Sequence, residues 1–281
     1  MIMFEINTAV VEQDVARALD EDVGSGDLTA LLIPAHHTTR AHVICREDMI
    51  VAGRPWFDAC FRALDLACVI DWQVEEGAMV KAGNVLVEIS GHARALLTAE
   101  RPALNFLQTL SAVATATRPY VEAVSDTHAA ILDTRKTLPG LRIAEKYAVR
   151  VGGGQNQRVG LYDGILIKEN HIAAAGGIAP VMDAALQLAA GKVSVQIEVE
   201  TLDQLREALA VEATLILLDN FSLDAMREAV KLTAGRAQLE ASGNITLDTV
   251  RAVAETGVDR ISIGGLTKHI RAVDLSMRID D

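Results

Sequence analysis

The sequence predicts an α/β protein whose C-terminal half is a parallel β/α barrel. From residue 130 onward, short apolar runs each end in a polar residue or a glycine, and helical patterns lie between most of them. This alternation is typical of buried parallel strands joined by helices. The residues that follow the last four runs, Glu198, Asp219, Ser242 and Gly264, are 21, 23 and 22 positions apart, which fits one βα unit each.

The composition fits this fold class. Half of the 281 residues are apolar but only 4% are aromatic, so small aliphatic side chains form the core, in one large domain or two. Three cysteines without a CxxC pair argue against a disulfide framework or a zinc site and predict a cytoplasmic protein. No signal-peptide pattern precedes Asp14, and no apolar run approaches the roughly 20 residues of a membrane span. No membrane association is therefore expected.

The first 124 residues have a different pattern. A helix is predicted at 8–22, and strand-like runs then surround one amphipathic helix. A long Ala-rich helix follows, which we expect to be interrupted or kinked at Pro119. The predicted strands are 41–45, 49–52, 69–74 and 85–89, and the later helices are 55–66 and 95–124.

Six strands are predicted in the barrel, and an eighth is not found. We therefore expect an incomplete or irregularly closed barrel. Residues 149–151 fit either a further short strand or the end of a helix. The six strands are 130–132, 165–167, 193–197, 215–218, 237–241 and 260–263, with helices at 179–190, 202–210, 223–232 and 247–256.

Positive charge is concentrated in residues 133–171. The whole chain has a formal charge of −12, but this segment holds seven Lys or Arg against four Asp or Glu. An acidic protein with one local cationic, Gly-rich region is suited to a small anion, whereas its overall field repels nucleic acid.

The C-terminal ends of barrel strands meet at one mouth, so the polar residues there are candidates for a site. Arg135 and Arg158 could each clamp a carboxylate or a phosphate. Glu198 and Asp219 could hold Mg²⁺ against a phosphorylated substrate. Gly-rich turns after the last two strands favour phosphate binding through backbone N–H groups. The strand-end candidates are Asp133, Arg135, Lys136, Lys168, Glu198, Asp219, Ser242, Gly243, Asn244, Gly264 and Gly265.

Each candidate also has a purely structural interpretation. A charge at a strand end can cap a helix, and Asp133 can pair with Arg135 or Lys136. Residues 242–244 can form an ordinary βα turn, and residues 152–154 can end a helix at 141–150. The functional interpretation is favoured because the strand ends agree: each is followed by a polar residue or a glycine.

Three specific sequence blocks follow one another between residues 133 and 171. The first begins Asp133-Thr134-Arg135-Lys136-Thr137, the second is GGGQNQR at 152–158, and the third is LIKENH at 166–171. In this order they resemble the quinolinate phosphoribosyltransferase family. The resemblance covers essentially the whole chain. Other segments that contribute to it are 21–29, 100–105, 146–149, 198–200, 218–221 and 242–245.

The resemblance implies a fold of two parts. An N-terminal α/β sandwich, residues 1–115, would be completed by residues 270–281, and an irregular, incomplete parallel β/α barrel would span residues 116–269. It also implies a homodimer, or an assembly of dimers, with shared active sites. Arg101 of one subunit would reach the barrel mouth of the other.

The resemblance further implies an enzyme, a carboxylating nicotinate-nucleotide diphosphorylase of NAD biosynthesis. This pentosyltransferase would transfer phosphoribosyl from phosphoribosyl pyrophosphate (PRPP) to quinolinate with loss of CO₂, using Mg²⁺ held by Glu198 and Asp219. The implied catalytic residues are Lys136, Lys168, Glu198 and Asp219. These four also belong to the implied substrate-binding set, which adds Arg101, Thr134, Arg135, Gln157, Arg158, Ser242, Gly243, Asn244, Ile263, Gly264 and Gly265.

One position departs from the family pattern. Gln157 stands where the second block most often has histidine. Glutamine can still donate a hydrogen bond to a substrate carboxylate, so we expect activity to be retained, but a pH-dependent charge is lost.

Two other functions stay open at this point. A related phosphoribosyltransferase could act on another pyridine-like acid or serve molybdenum uptake, although Arg101, Arg135 and Arg158 together favour a dicarboxylate. Residues 74–89 look like half of a biotinyl or lipoyl hairpin. No MKM-like lysine lies at a hairpin tip, so the carrier function is not favoured.

Overall fold

The computed structural model describes residues 6–280. Residues 1–5 and 281, which end the predicted domain ranges, lie outside the described residues. The strands are β1 (Thr38–Cys45), β2 (Met49–Ile50), β3 (Val69–Trp72), β4 (Met79–Val80), β5 (Val85–His92), β6 (Ala130–Leu132), β7 (Gly164–Ile167), β8 (Ser194–Val199), β9 (Leu215–Asp219), β10 (Gln238–Ser242), β11 (Arg260–Ser262) and β12 (Leu275–Ile279). The helices are α1 (Thr8–Val23), α2 (Arg54–Leu64), α3 (Ala93–Ala123), α4 (Arg142–Val151), α5 (Glu169–Ala175), α6 (Ile178–Ala189), α7 (Leu202–Ala210), α8 (Leu223–Thr233), α9 (Leu247–Ala254) and α10 (Gly265–Lys268).

The chain forms two compact units. The first contains the residues up to 117, residues 138–153 and the residues from 267 onward, and the second contains residues 118–137 and 154–266. The segment 138–153, which the sequence analysis placed in the barrel range, thus clusters with the first unit. Tyr147 accounts for part of this placement, because its hydroxyl donates to Glu76 at 2.9 Å and its ring contacts Trp56 edge to face.

The first unit is built on a four-stranded antiparallel sheet in the order β12-β1-β5-β3. β12 pairs along β1 from Ala41 opposite Ile279 to Cys45 opposite Leu275. The C-terminal segment therefore completes the N-terminal sheet, as the resemblance implied. Helix α2 buries Trp56 and Phe61 in the core of this unit. The predicted N-terminal α/β sandwich is confirmed.

Helix α3 tests the expectation that the chain is interrupted or kinked at Pro119. It runs from Ala93 to Ala123 as one helix, so it is not interrupted there, and the kink stays a prediction. A proline lacks one intrahelical N–H, and here it lies only four residues from the helix end. Residues 149–151 also have a settled conformation, because they form the last turn of α4.

The second unit contains a six-stranded parallel sheet in the order β6-β11-β10-β9-β8-β7. Its six strands are those predicted from the sequence. Within residues 6–280 the two edge strands, β6 and β7, do not pair with each other. The prediction of an incomplete parallel β/α barrel is confirmed.

The parallel register brings the strand ends to one level. Ser242 at the end of β10 pairs with Asp219 at the end of β9 and with Ser262 at the end of β11, while Ser262 pairs with Leu132. The polar residues at these ends therefore share one edge of the sheet, where parallel α/β proteins place their chemistry.

No single helix among residues 6–280 has both the length and the apolar character needed to cross a membrane; only α5 and α6 taken together, across a bend of 100°, meet that criterion.

Candidate active site

A cleft opens at the C-terminal ends of the parallel strands in the second unit. Eight of its lining residues are among those predicted from the sequence, and four were not predicted. The predicted ones are Thr134, Arg135, Lys136, Gln157, Arg158, Lys168, Glu198 and Ser242, and the others are Leu166, Leu217, Glu240 and Ser262. The structure thus brings together residues from five strands and from three segments between the strands and helices.

Two arginines make one side of the cleft strongly cationic. Burial and the neighbouring charge of Arg135 lower the pKa of the Arg158 guanidinium, while Asp163 acts in the opposite direction. Arg158 Nη1 donates to the carbonyl oxygen of Gly164 at 2.9 Å, which fixes the orientation of the guanidinium. Two like charges held close together are stabilised by an anion between them, so this side of the cleft is suited to a carboxylate or a phosphate.

Asp133 is completely buried and supports the loop that carries Arg158. Its carboxylate accepts a hydrogen bond from the backbone N–H of Gln157 at 2.9 Å and another from the Asn156 amide. The chain at Gln155 pairs with β6, since Gln155 N donates to Ile131 O at 2.8 Å. The charge at this strand end therefore positions the loop.

Lys168 and Glu198 form an ion pair across the ends of β7 and β8, with Nζ 2.8 Å from Oε2. The Lys168 side chain is about half exposed (48%), whereas that of Glu198 is largely covered (12%). The Nδ1 atom of His171 accepts a hydrogen bond from the backbone N–H of Lys168 at 3.0 Å, and this contact caps α5. It is not directed at the charged groups of the ion pair.

The glycine turns allow very close contacts at the same edge. Gly243 has a φ of +107°, and a Cβ built there would lie 2.1 Å from Asn220 Oδ1. Asn220 in turn donates to Asp219 at 2.9 Å. A Cβ at Gly264 would lie 2.9 Å from Lys136 Cδ, so the absence of a side chain there makes room for Lys136.

The remaining predicted residues lie near this edge but do not line the cleft. Asp219 ends β9, and the backbone of Ile263 donates to Leu132 O at 2.9 Å. Gly265 begins the short helix α10. Residues in this group are Asp219, Gly243, Asn244, Ile263, Gly264 and Gly265.

The chain matches two family models over nearly its whole length. Residues 27–111 match the N-terminal domain of quinolinate phosphoribosyl transferase, and residues 113–278 match its C-terminal domain. The chain belongs to the quinolinate phosphoribosyltransferase family.

Individual members of the family are similar over the same extent. The probable nicotinate-nucleotide pyrophosphorylase [carboxylating] of Bacillus subtilis (strain 168) is 44% identical over 259 residues, which is 92% of this chain and 90% of that protein. A protein of the same name from Synechocystis is 38% identical over 96% of this chain and 92% of its own length. The structure of the Francisella tularensis nicotinate-nucleotide pyrophosphorylase superposes with a TM-score of 0.94, at 43% identity and 98% coverage of both chains.

Arg101, which the family resemblance assigned to the neighbouring subunit's site, lies on α3 in the first unit and is exposed. Its action on a partner's cleft stays a prediction.

Two buried polar residues of this quinolinate phosphoribosyltransferase fold were missed by the sequence analysis. Glu240 on β10 is completely buried and Gln196 on β8 is 5% exposed, and both contact Gln157. A signal was present, because Glu240 is the one charged residue of the predicted strand 237–241, and a charge inside a buried strand requires partners.

The carboxylates of the cleft do not form a metal site by themselves. Among residues 6–280 no group of three or more His, Cys, Asp or Glu side chains could hold a metal ion. Mg²⁺ is, however, commonly bound through one or two carboxylates together with substrate phosphates. Glu198 is the penultimate residue of β8 and Asp219 is the last residue of the adjacent β9, and two carboxylates fit that type of donor set.

Proposed function

We propose that this chain transfers the phosphoribosyl group of PRPP to quinolinate with decarboxylation, giving nicotinate mononucleotide, diphosphate and CO₂ in NAD biosynthesis. The observation that carries the proposal is the gathering of Arg135, Lys136, Arg158 and Lys168 around one cleft of an acidic chain that belongs to the quinolinate phosphoribosyltransferase family.

The charges of the substrates are complementary to this cleft. Quinolinate is a pyridine with two adjacent carboxylates, and PRPP carries a 5-phosphate and a diphosphate. Arg135 and Arg158 would bind the carboxylates, because a guanidinium can donate two parallel hydrogen bonds to one carboxylate. Lys136 and Lys168, with the turns at 242–244 and 263–265, would bind the phosphates of PRPP.

The reaction requires positioning more than proton transfer. The pyridine nitrogen attacks the anomeric carbon of the ribose as the C–O bond to diphosphate breaks, so positive charge develops on the ribose. Glu198 and Asp219 would stabilise that charge or bind the ribose hydroxyls. The N-substituted pyridinium then accepts the electron pair of the bond to the 2-carboxylate, CO₂ leaves, and C2 takes up a proton, for which Lys136 is the candidate donor.

Mg²⁺ bound by Glu198 and Asp219 would neutralise the departing diphosphate. The ion pair with Lys168 orients Glu198 at the cleft.

We also propose an oligomeric state and a cellular location. A homodimer with shared sites would supply Arg101 of one subunit to the cleft of the other. The described cysteines, Cys45, Cys60 and Cys68, are all unbridged thiols, which supports a reducing cytoplasm.

An end-point assay of the purified protein tests the proposal. Mg²⁺ and PRPP are supplied with either quinolinate or nicotinate, and mononucleotide and CO₂ are measured. We expect product and CO₂ from quinolinate alone. Turnover of nicotinate, or of neither acid, would reject the proposed substrate and direct the search to other pyridine-like acceptors.

A further inference from the structure

We propose that Glu240, Gln157 and Gln196 form a hydrogen-bonded triad that positions Arg158 for the acidic substrate. The inference rests on the proposed function and adds residues that act through Arg158, without touching the reacting atoms. It also gives Gln157 a role different from the substrate contact expected from the sequence.

The three side chains are joined by close hydrogen bonds at the cleft, which Gln157 and Glu240 line. Gln157 Nε2 lies 2.8 Å from Glu240 Oε1, 2.6 Å from Glu240 Oε2 and 2.9 Å from Gln196 Oε1. Gln196 Nε2 donates to Glu240 Oε2 at 3.0 Å. The residues come from β8, β10 and the loop before β7, so the triad joins three separate parts of the barrel.

The carboxylate of Glu240 determines how both amides are oriented. Its Oε1 accepts a hydrogen bond from Gln157, and its Oε2 accepts from both Gln157 and Gln196, so each glutamine directs its NH₂ group toward the carboxylate. Glu240 is completely buried, and a buried carboxylate that loses its donors is strongly destabilised. The orientation of the Gln157 amide is therefore specified.

That orientation directs the other end of Gln157 to Arg158. The backbone N–H of Arg158 donates to Gln157 Oε1 at 3.1 Å, while the backbone N–H of Gln157 is held by Asp133 at 2.9 Å. The NH₂ group of Gln157 has two hydrogens and already faces three acceptors. A hydrogen bond from it to a substrate carboxylate would require breaking one of these contacts.

Two nearly isosteric substitutions test the triad. Glu240→Gln removes the charge, and Gln157→Met removes the amide with little change of volume. We expect each to raise the KM for quinolinate by about tenfold or more, while kcat and the KM for PRPP change by less than about threefold. Gln187→Met, at an exposed position on α6, is the matched control and should leave all three constants unchanged.

Coupling between the residues is the decisive result. Because both changes disrupt one network, the double variant should be no worse than the poorer single variant. Gln157→His, which retains a donor toward Glu240, should keep activity within about tenfold of the parent, or about 1.4 kcal/mol. Additive effects, or an unchanged KM for quinolinate in folded Gln157→Met, would overturn the proposal.

Hydrogen exchange provides a readout that does not depend on the substrate. The amide of Arg158 should exchange faster in Gln157→Met and in Glu240→Gln than in the parent and the Gln187→Met control. Unchanged protection would reject the triad even if the proposed function is right. If the parent fails to use quinolinate but the exchange result holds, the proposed function fails and the triad remains. Should Glu240→Gln not fold, the Gln157 variants decide alone.

Discussion

The ammonium of Lys168 lies 2.8 Å from the carboxylate of Glu198 and connects the ends of two adjacent parallel strands. Glu198 is mostly covered, and Lys168 is the more exposed partner. The lysine is therefore held at the cleft by a countercharge behind it, with its remaining N–H groups available to an incoming anion. An ion pair in this arrangement would preorganise Lys168 for the phosphate-binding role proposed above.

Removing this lysine should affect activity strongly. We expect Lys168→Met to lower kcat/KM for PRPP about 100-fold or more, which corresponds to about 2.7 kcal/mol, because the cation is lost and Glu198 then repels the substrate phosphates. Steady-state kinetics at saturating quinolinate measure the effect. Lys192→Met, at an exposed position after α6, is the control. Near-normal kcat/KM in the Lys168 variant would show that the ion pair is only structural.

The turn at Gly243 should not tolerate a side chain. In Gly243→Ala the new methyl would lie 2.1 Å from Asn220 Oδ1 and 3.1 Å from the Asn220 backbone nitrogen. Asn220 would have to move, and with it the adjacent Asp219, whose carboxylate it contacts. We expect kcat/KM for PRPP to fall about tenfold or more.

The Gly235→Ala variant distinguishes the effect of the steric contact with Asn220 from the effect of backbone strain. Gly235 also has a positive φ, +76°, but a Cβ there meets nothing within 4 Å. Both variants should lose about 1 kcal/mol of stability from the left-handed conformation, yet only Gly243→Ala should lose activity. Equal kinetics in the two variants would argue against a role of this turn in PRPP binding.

Glu145 should make stability depend on pH. It is completely buried on α4, accepts one hydrogen bond, from the backbone N–H of Leu138 at 3.1 Å, and its Oε1 has no hydrogen-bond partner among the described residues. Burial raises its pKa to about 7, an effect that the Leu138 N–H and the charge of Arg142 oppose. The folded state therefore binds a proton that the unfolded state, with a pKa of 4.5, has already released.

The direction of the pH effect follows from this difference. The contribution of Glu145 to stability is fully present below its unfolded pKa and is lost as pH rises through about 7. Glu145→Gln should remove that loss, which amounts to about 3 kcal/mol of unfolding free energy at most. The variant should therefore have a higher Tm than the parent at about pH 8 but not at about pH 5. Glu12→Gln, at an exposed position on α1, controls for the change in net charge. A Tm difference independent of pH would contradict the raised pKa.

The elements set by local pattern were predictable from the sequence. Helix α7 occupies residues 202–210 as predicted, and it begins where the Thr201 side chain accepts from Gln204 N. The strand ends were predictable for a similar reason, since parallel pairing brings their polar residues to one edge whatever the connecting helices are.

Contacts between distant residues were not predictable in this way. Gln157 and Glu240 are 83 positions apart, and Tyr147 and Glu76 are 71 positions apart. No periodicity relates such residues, because their pairing depends on tertiary packing. The same limit applies to the placement of residues 138–153, whose helix has a strong amphipathic pattern in the sequence but no signal for the unit with which it packs.

A mixing experiment tests whether the sites are shared between subunits. Arg101→Ala and Lys136→Ala homodimers should each be inactive, because each lacks one residue of every site. In a mixed dimer one of the two sites is intact, because it takes Lys136 from the Arg101→Ala subunit and Arg101 from the Lys136→Ala subunit. Random exchange at equal concentrations makes half of the dimers mixed. About a quarter of the parent activity should therefore return.

The control uses two residues of the same cleft. Lys136 and Lys168 both line the cleft of the second unit, so Lys136→Ala mixed with Lys168→Ala should regain no activity. Each barrel of that mixed dimer still lacks one of the two lysines, and neither site is intact. If Lys136→Ala regains activity when it is mixed with Arg101→Ala but not when it is mixed with Lys168→Ala, Arg101 acts on the site of the other subunit. Native mass spectrometry verifies subunit exchange in both mixtures. If exchange is complete and the Arg101→Ala mixture stays inactive, Arg101 acts within its own subunit or outside the site.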